Sequence, residues 1–226
     1  MKKLDLLEES LLAVFMVVFG LAALLVFKYT SYEVGWKFFI LTASFHIFLV
    51  ILAKSLRWYL PFSIWKFLAP LSLFMVFPDW FLSEVLGVLV FPEDGFPKIG
   101  TVSGYMAGLW SIPLFILVYT GIKLEERSVS IVGACLWIGF FSLIIFGISE
   151  ATLWQMGSWY AQNVKQTHGA AHYVLIPEMV LGVVSYLTYQ GFAQSPFLVQ
   201  VGVSFLIMIQ YIGNLGFFYL LFERIL

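Results

Sequence analysis

The sequence predicts an all-α, polytopic integral membrane bundle of about seven transmembrane helices, forming a single domain over residues 1–226. Three observations predict it. The chain is 62% hydrophobic and only 11% charged, whereas soluble domains are about half apolar and a quarter charged, and its mean hydropathy is +0.96. A globule of that composition has too little polar surface to cover itself in water. Seven stretches reach the ~20 mostly apolar residues that a helix needs to cross roughly 30 Å of hydrocarbon. The connections between them are short, which leaves no soluble domain of any size.

The first span is expected at Ser10–Phe27. Lys2 and Lys3 precede it as they would a signal peptide. Asp5, Glu8 and Glu9 intervene, however, and no small-residue cleavage site follows at Lys28-Tyr29-Thr30, so it reads as a true first helix. The second, Trp36–Ala53, carries His46 near its middle. The third, Phe67–Phe91, places Asp79 near the midplane and Glu84 about 7 Å further along. The fourth, Gly100–Ile122, holds Tyr105 and Trp110 in one half and Pro113 inside. The fifth, Val129–Glu150, closes on Glu150; the sixth, Ala170–Tyr189, opens on His172, with Glu178 roughly 12 Å inward. In the seventh, Pro196–Phe222, Gln210 and Asn214 share a face at i, i+4 spacing.

Of the connections, Phe91–Gly100 (FPEDGFPKIG) reads as a turn-rich loop. Trp154–Ala170 reads as an interfacial segment, since Trp154, Trp159 and Tyr160 suit the headgroup layer. Seven spans put the termini on opposite sides. Lys2, Lys3, Lys54, Arg57, Lys66, Lys123 and Arg127 fall on the N-terminal side, against Lys28, Lys37, Lys98, Lys165 and Arg224 on the other. The positive-inside rule then puts the N-terminus in the cytoplasm.

Composition also excludes functions. With 12 Lys+Arg against 13 Asp+Glu there is no basic patch for a nucleic-acid partner. Cys135 is the only cysteine, which excludes a disulfide scaffold and a thiolate metal site. Three histidines are too few for the histidine clusters of di-iron desaturases, and the last span has no lysine for a retinal Schiff base. No paired Asp-x-x-x-Asp run is present to hold a magnesium pyrophosphate. His172, Glu178 and Glu150 match no zinc-ligand spacing, so neither a metal nor another cofactor is expected.

What remains is a one-sided set of intramembrane acids, each a functional candidate because charge at that depth is costly. Nearly all the polarity lies between the midplane and the surface opposite the N-terminus, as expected for an outward-facing pocket and not for a conducting pore. Two Pro-acid pairs, Pro78-Asp79 and Pro177-Glu178, free carbonyls one turn back, which helices tolerate where they line a cavity. Plainer readings stand beside this one. Glu150 and His172 also fit snorkelling to headgroups, Glu84 an interhelical hydrogen bond, His46 a satisfied interior histidine, and Gln210 and Asn214 interhelical partners.

A carboxyl in apolar surroundings favours its protonated form and can donate a proton, and aromatic faces stabilise the cation that results. In its seven-span size and its runs PDWFLSE (Pro78–Glu84), PEDGFP (Pro92–Pro97) and IPE (Ile176–Glu178), the chain resembles small polytopic membrane terpene cyclases and carotenoid cyclases or hydratases. That resemblance implies an isoprenoid cyclase, hydratase or isomerase and assigns no residue. A second resemblance, to rhomboid proteases, rests on GTVSGYM around Ser103 and AHYV around His172, and departs from their motifs at Thr101 and Leu175. The expected function is acid catalysis on a membrane lipid, isoprenoid or other hydrophobic small molecule. Glu178 or Asp79 would be the proton donor and Glu84 or Glu150 the base, with His172 tuning one of them. Tyr105 and Trp110 would line the cavity, with Gln210 and Asn214 as further substrate contacts. A proton-coupled transporter or binder of a lipophilic solute, and a non-catalytic accessory subunit, are the alternatives. Spans three to seven are expected to converge on one cavity, leaving spans one and two at the periphery.

Overall fold

The apolar stretches fold into seven long helices in a computed structural model that describes residues 2–226, with side chains from Leu7 onward. The side chains of Lys2, Lys3 and Asp5 counted above lie outside the described residues. The helices are α1 (Lys2–Tyr29), α2 (Val34–Ser55), α3 (Tyr59–Val85), α4 (Met106–Glu126), α5 (Ile131–Met156), α6 (His172–Phe192) and α7 (Phe197–Ile225). All except α6 are long and apolar enough to cross a membrane. The 21-residue α6 falls short in apolarity and is enclosed by its neighbours. It packs on α4, α5 and α7 and buries Tyr173, Glu178, Ser185, Tyr186 and Tyr189 among them. A helix surrounded by other helices has less need of a lipid-compatible surface.

Three boundaries depart from the sequence reading. The third helix begins at Tyr59, eight residues before the expected Phe67. Pro61 is tolerated in its first turn, where a missing N–H costs nothing, and the Lys66 amine sits over the Phe197 ring at 5.7 Å, so this charge does not interrupt the helix. The same helix ends at Val85, not Phe91, because Gly87 takes a left-handed φ of +64° and the Val88 N–H turns back to the Leu82 carbonyl at 2.9 Å. Asp79 therefore stands six residues from the helix end instead of at its centre. The fourth helix starts at Met106; residues before it form a hairpin, β2 (Lys98–Ile99) with β3 (Val102–Ser103), and Gly100 (φ +63°) supplies its turn.

Pro78 shapes α3. It has no N–H for the Phe74 carbonyl, and the α-helical ladder breaks at Met75. A π-helical turn follows over Phe81–Val85.

The helices α3, α4, α5, α6 and α7 form a closed ring, each packed on the next and α7 back on α3. In the half nearer the N-terminus this ring is solid. Leu114, Leu117, Val118, Ile138 and Leu181 have no exposed surface. Glycine lets the helices approach there: a Cβ on Gly121 would stand 2.5 Å from Ile138 Cδ1 and 2.6 Å from Tyr186 Cδ2, the small-residue packing usual between membrane helices. Outside the ring, α2 buries Phe38, Leu41, Thr42, Phe45 and Leu49 at helical spacing. Beyond it, α1 packs chiefly on α2 and is tied to α4 by Glu9, which pairs with Lys123 at 3.3 Å and Arg127 at 2.9 Å.

Candidate functional site

In the half of the ring opposite the N-terminus the helices enclose a cavity of about 250 Å³. Three carboxyls line it, Asp79 from α3, Glu150 from α5 and Glu178 from α6. Asp79 and Glu178 are each 3% exposed. Both stand six residues from the same end of the bundle, Asp79 before Val85 and Glu178 after His172, so antiparallel helices bring them to one level. Pro78 and Asp79 lie buried just past the break in α3, and Pro177 lies buried beside Glu178.

The three acids are held differently. The Trp110 indole N–H donates to Asp79 Oδ2 at 3.1 Å, and the Trp159 indole N–H donates to Glu150 Oε1 at 3.1 Å. Glu178 Oε2, by contrast, is buried without a hydrogen-bond partner among the described residues. Apart from Ser149, the rest of the wall is aromatic and aliphatic: Trp110, Phe146, Trp159, Tyr173 and Tyr211 contribute rings, and among the described residues no lysine, arginine or histidine reaches it. Trp110 packs 5.6 Å from Phe146 and 5.8 Å from Tyr211, centroid to centroid.

Two loops roof the cavity on its aqueous side. Strand β1 (Leu89–Val90) pairs antiparallel with β4 (Tyr160–Ala161), joining the α3–α4 loop to the α5–α6 loop. Gln162 adds two bonds, its backbone N–H to the Val88 carbonyl at 2.9 Å and its side-chain amide to the Gly87 carbonyl at 3.0 Å. Phe91, Trp159 and Ala161 are buried beneath this bridge. The expected opening outward is therefore covered, and the segment read as purely interfacial supplies a ceiling. Its remaining residues form a second hairpin, β5 (Gln166–Thr167) with β6 (Ala170–Ala171).

Of the candidate catalytic and substrate-binding residues named from the sequence, Asp79, Glu150, Glu178 and Trp110 share the cavity, and the others lie outside it. Glu84 is exposed, because the π turn carries it past the wall to the surface. His172 caps the α6 entrance, where its Nε2 and the Thr167 hydroxyl lie 2.8 Å apart. Tyr105 is buried behind the wall and stacks on Phe38 at 5.0 Å; burial first, and then the Asp94 carboxylate, hold its phenol above its ordinary pKa. Gln210 and Asn214 sit one residue round α7 from the face that reaches the cavity, which is Tyr211's, and Gln210 Oε1 is buried without a partner among the described residues.

The serine-histidine pair does not form. The Ser103 hydroxyl donates to Asp94 Oδ2 at 2.5 Å, which closes the α3–α4 loop, while His172 is engaged with Thr167. Nor does His172 meet Glu150 and Glu178, and no group of three or more possible ligands is arranged for a metal among the described residues. His46 links α2, α3 and α4. Trp65 Nε1 donates to its Nδ1 at 2.9 Å, so the ring proton lies on Nε2 and faces the Gly108 carbonyl at 3.1 Å.

Sequence reasoning missed Tyr211, Tyr173, Phe146 and Trp159. Among many aromatics none carried a distinguishing signal, except that Trp159 lies in the polar loop after Glu150.

Fold and cavity define a multi-pass α-helical membrane protein with a buried, acid-lined site. Over residues 76–222 the chain matches the family described as a domain of unknown function, DUF6989, and it belongs to that family. Every residue of the cavity wall falls inside the matched segment, whereas α1 and α2 fall outside it. No curated protein and no solved structure matches the chain.

Proposed function

We propose that the protein is an intramembrane enzyme that isomerises, cyclises or hydrates an unsaturated lipid or isoprenoid by acid catalysis, with Glu178 as the acid. One observation carries the reading: Glu178, one of whose buried carboxyl oxygens has no hydrogen-bond partner among the described residues, lines an apolar, aromatic-walled cavity in which the two other carboxyls are already held by indole N–H groups. In the isomerising or cyclising reaction the Glu178 O–H bond breaks, and the π electrons of an alkene form a C–H bond to its proton. The carbocation left behind lies against the rings of Trp110, Phe146 and Tyr211, whose faces attract positive charge. Loss of a neighbouring C–H proton to Asp79 or Glu150 regenerates a double bond, and the sum is redox-neutral. In hydration a water adds to the cation instead, and the protonated alcohol that forms gives its extra proton to Asp79 or Glu150.

The solid half of the bundle beneath the cavity supports an enzyme or binder over a carrier, since it offers no path to the other side. The excess of Lys and Arg on the N-terminal side supports a cytoplasmic N-terminus. The test is turnover of a panel of polyprenoid alkenes and epoxides by membranes carrying wild type or Glu178→Gln. Loss of the acid should lower product formation by roughly 10²–10⁴-fold. Equal product from both would refute the assignment, and saturable binding without product would make the cavity a binding site.

A further inference from the structure

We propose that the cavity opens sideways, between α4 and α5, into the hydrocarbon of the bilayer, and that its ligand is a long-chain lipid whose tail stays in the membrane. Placing the reacting end of that lipid against Glu178 rests on the acid-catalysis reading; the opening itself does not.

The argument is the distribution of exposure around the wall. The lining residues from α3, α6 and α7 (Asp79, Leu82, Tyr173, Val174, Glu178 and Tyr211) are all buried. So are the roof residues Phe91, Trp159 and Ala161. Half-buried lining residues belong to α4 and α5, Leu89 at the roof edge excepted. On α4 they are Leu109, Ile112, Pro113 and Ile116, one stripe at i, i+3, i+4 and i+7; on α5 they are Ile145, Ser149, Glu150 and Leu153, again one stripe. Two facing half-buried stripes are the lips of a gap. The helices are joined by a short turn at the opposite end and approach closely near it, where Gly121 meets Ile138.

The lips are aliphatic apart from Ser149 and Glu150, so the medium that fits the gap is lipid and not water. Glu150 is turned to the roof by Trp159, and the Ser149 hydroxyl donates to the Ile145 carbonyl of its own helix at 2.8 Å. Size points the same way. A cavity of about 250 Å³ lies below the roughly 300–1,000 Å³ that encloses a whole drug-sized ligand. It takes the end of a chain and leaves the remainder outside.

A nitroxide at Ser149→Cys, in a Cys135→Ala background and in phosphatidylcholine vesicles, tests the opening through collisions with oxygen, which concentrates in hydrocarbon, and with a nickel chelate confined to water. High oxygen and low nickel accessibility are expected. Ile112→Trp or Ile145→Trp, filling the gap from either lip, should each lower the oxygen accessibility severalfold. Two lip variants keep one misfolded protein from deciding the outcome. Nickel access equal to that of oxygen would show an opening to water, and low access to both would show a closed wall. No response to either tryptophan would mean that the label merely rests on the lipid face. Any of these overturns the proposal. Glu178→Gln should leave the collision pattern unchanged, so a lateral opening found beside undiminished turnover in that variant would refute the acid assignment alone.

Discussion

Replacing Trp110 by phenylalanine removes one hydrogen-bond donor from the cavity wall while keeping a ring between Phe146 and Tyr211. The bond it deletes is well made, 3.1 Å from the indole nitrogen to Asp79 Oδ2, and neither residue is more than 9% exposed. Stranding a buried acceptor costs about 1–3 kcal/mol in soluble proteins. In membranes the unfolded chain also finds partners, and measured couplings average about 0.6 kcal/mol and reach about 1.7. Asp79 is enclosed by helices and not by lipid, which places this pair toward the upper end, at ~1 kcal/mol or a little more. Lost ring volume would inflate the single substitution, so the quantity to measure is the coupling in a cycle of Trp110→Phe, Asp79→Ala and the double variant. Unfolding in mixed micelles, followed by far-ultraviolet circular dichroism, reads it without depending on tryptophan emission. A coupling below the ~0.3–0.5 kcal/mol scatter of independent sites would refute the claim that this bond holds Asp79 in the wall.

Three further substitutions test the frame around the site. Gly121→Ala sets a methyl against Ile138 and Tyr186 in the solid half of the ring; it should cost about 1–3 kcal/mol in the same unfolding assay, and a neutral outcome would mean that α4 stands further from its neighbours. His46→Phe leaves the Trp65 indole N–H without its acceptor, while the Gly108 carbonyl keeps the Ser111 hydroxyl at 2.6 Å, and should cost about 1–3 kcal/mol. His46→Gln, which restores an acceptor, should recover part of that loss, and equal losses in both variants would speak against the hydrogen bond. Glu9→Gln breaks the two ion pairs from α1 to α4, with Glu9 23% and Arg127 67% exposed. Screening limits its effect to below ~1 kcal/mol, so a larger loss would show that α1 is anchored more firmly than its packing implies.

The architecture was legible in composition because the bilayer sets a minimum length of apolar helix, and chain segments of that length are visible by eye. Ends were legible only where hydropathy and helix coincide. Around α3 they do not: Lys66 reaches the edge of the apolar region without leaving the helix, and Gly87 stops the helix while the sequence remains apolar. Acids at depth were legible one at a time, since a carboxyl in hydrocarbon is costly wherever it falls. Whether they meet was not, because that depends on helix rotation and on kinks. The π turn sends Glu84 to the surface five residues after Asp79 goes inward, and a rotation of one residue on α7 brings Tyr211 to the cavity in place of Gln210 and Asn214. The roof is tertiary too. Leu89–Val90 and Tyr160–Ala161 are two-residue strands some seventy positions apart, too short to show a pattern and stable only because the helices beneath bring their loops together. Composition and residue depth thus determined that the protein is a membrane bundle carrying acids. Packing decided which acids share a space, which of them keeps a free oxygen, and on which side that space is closed.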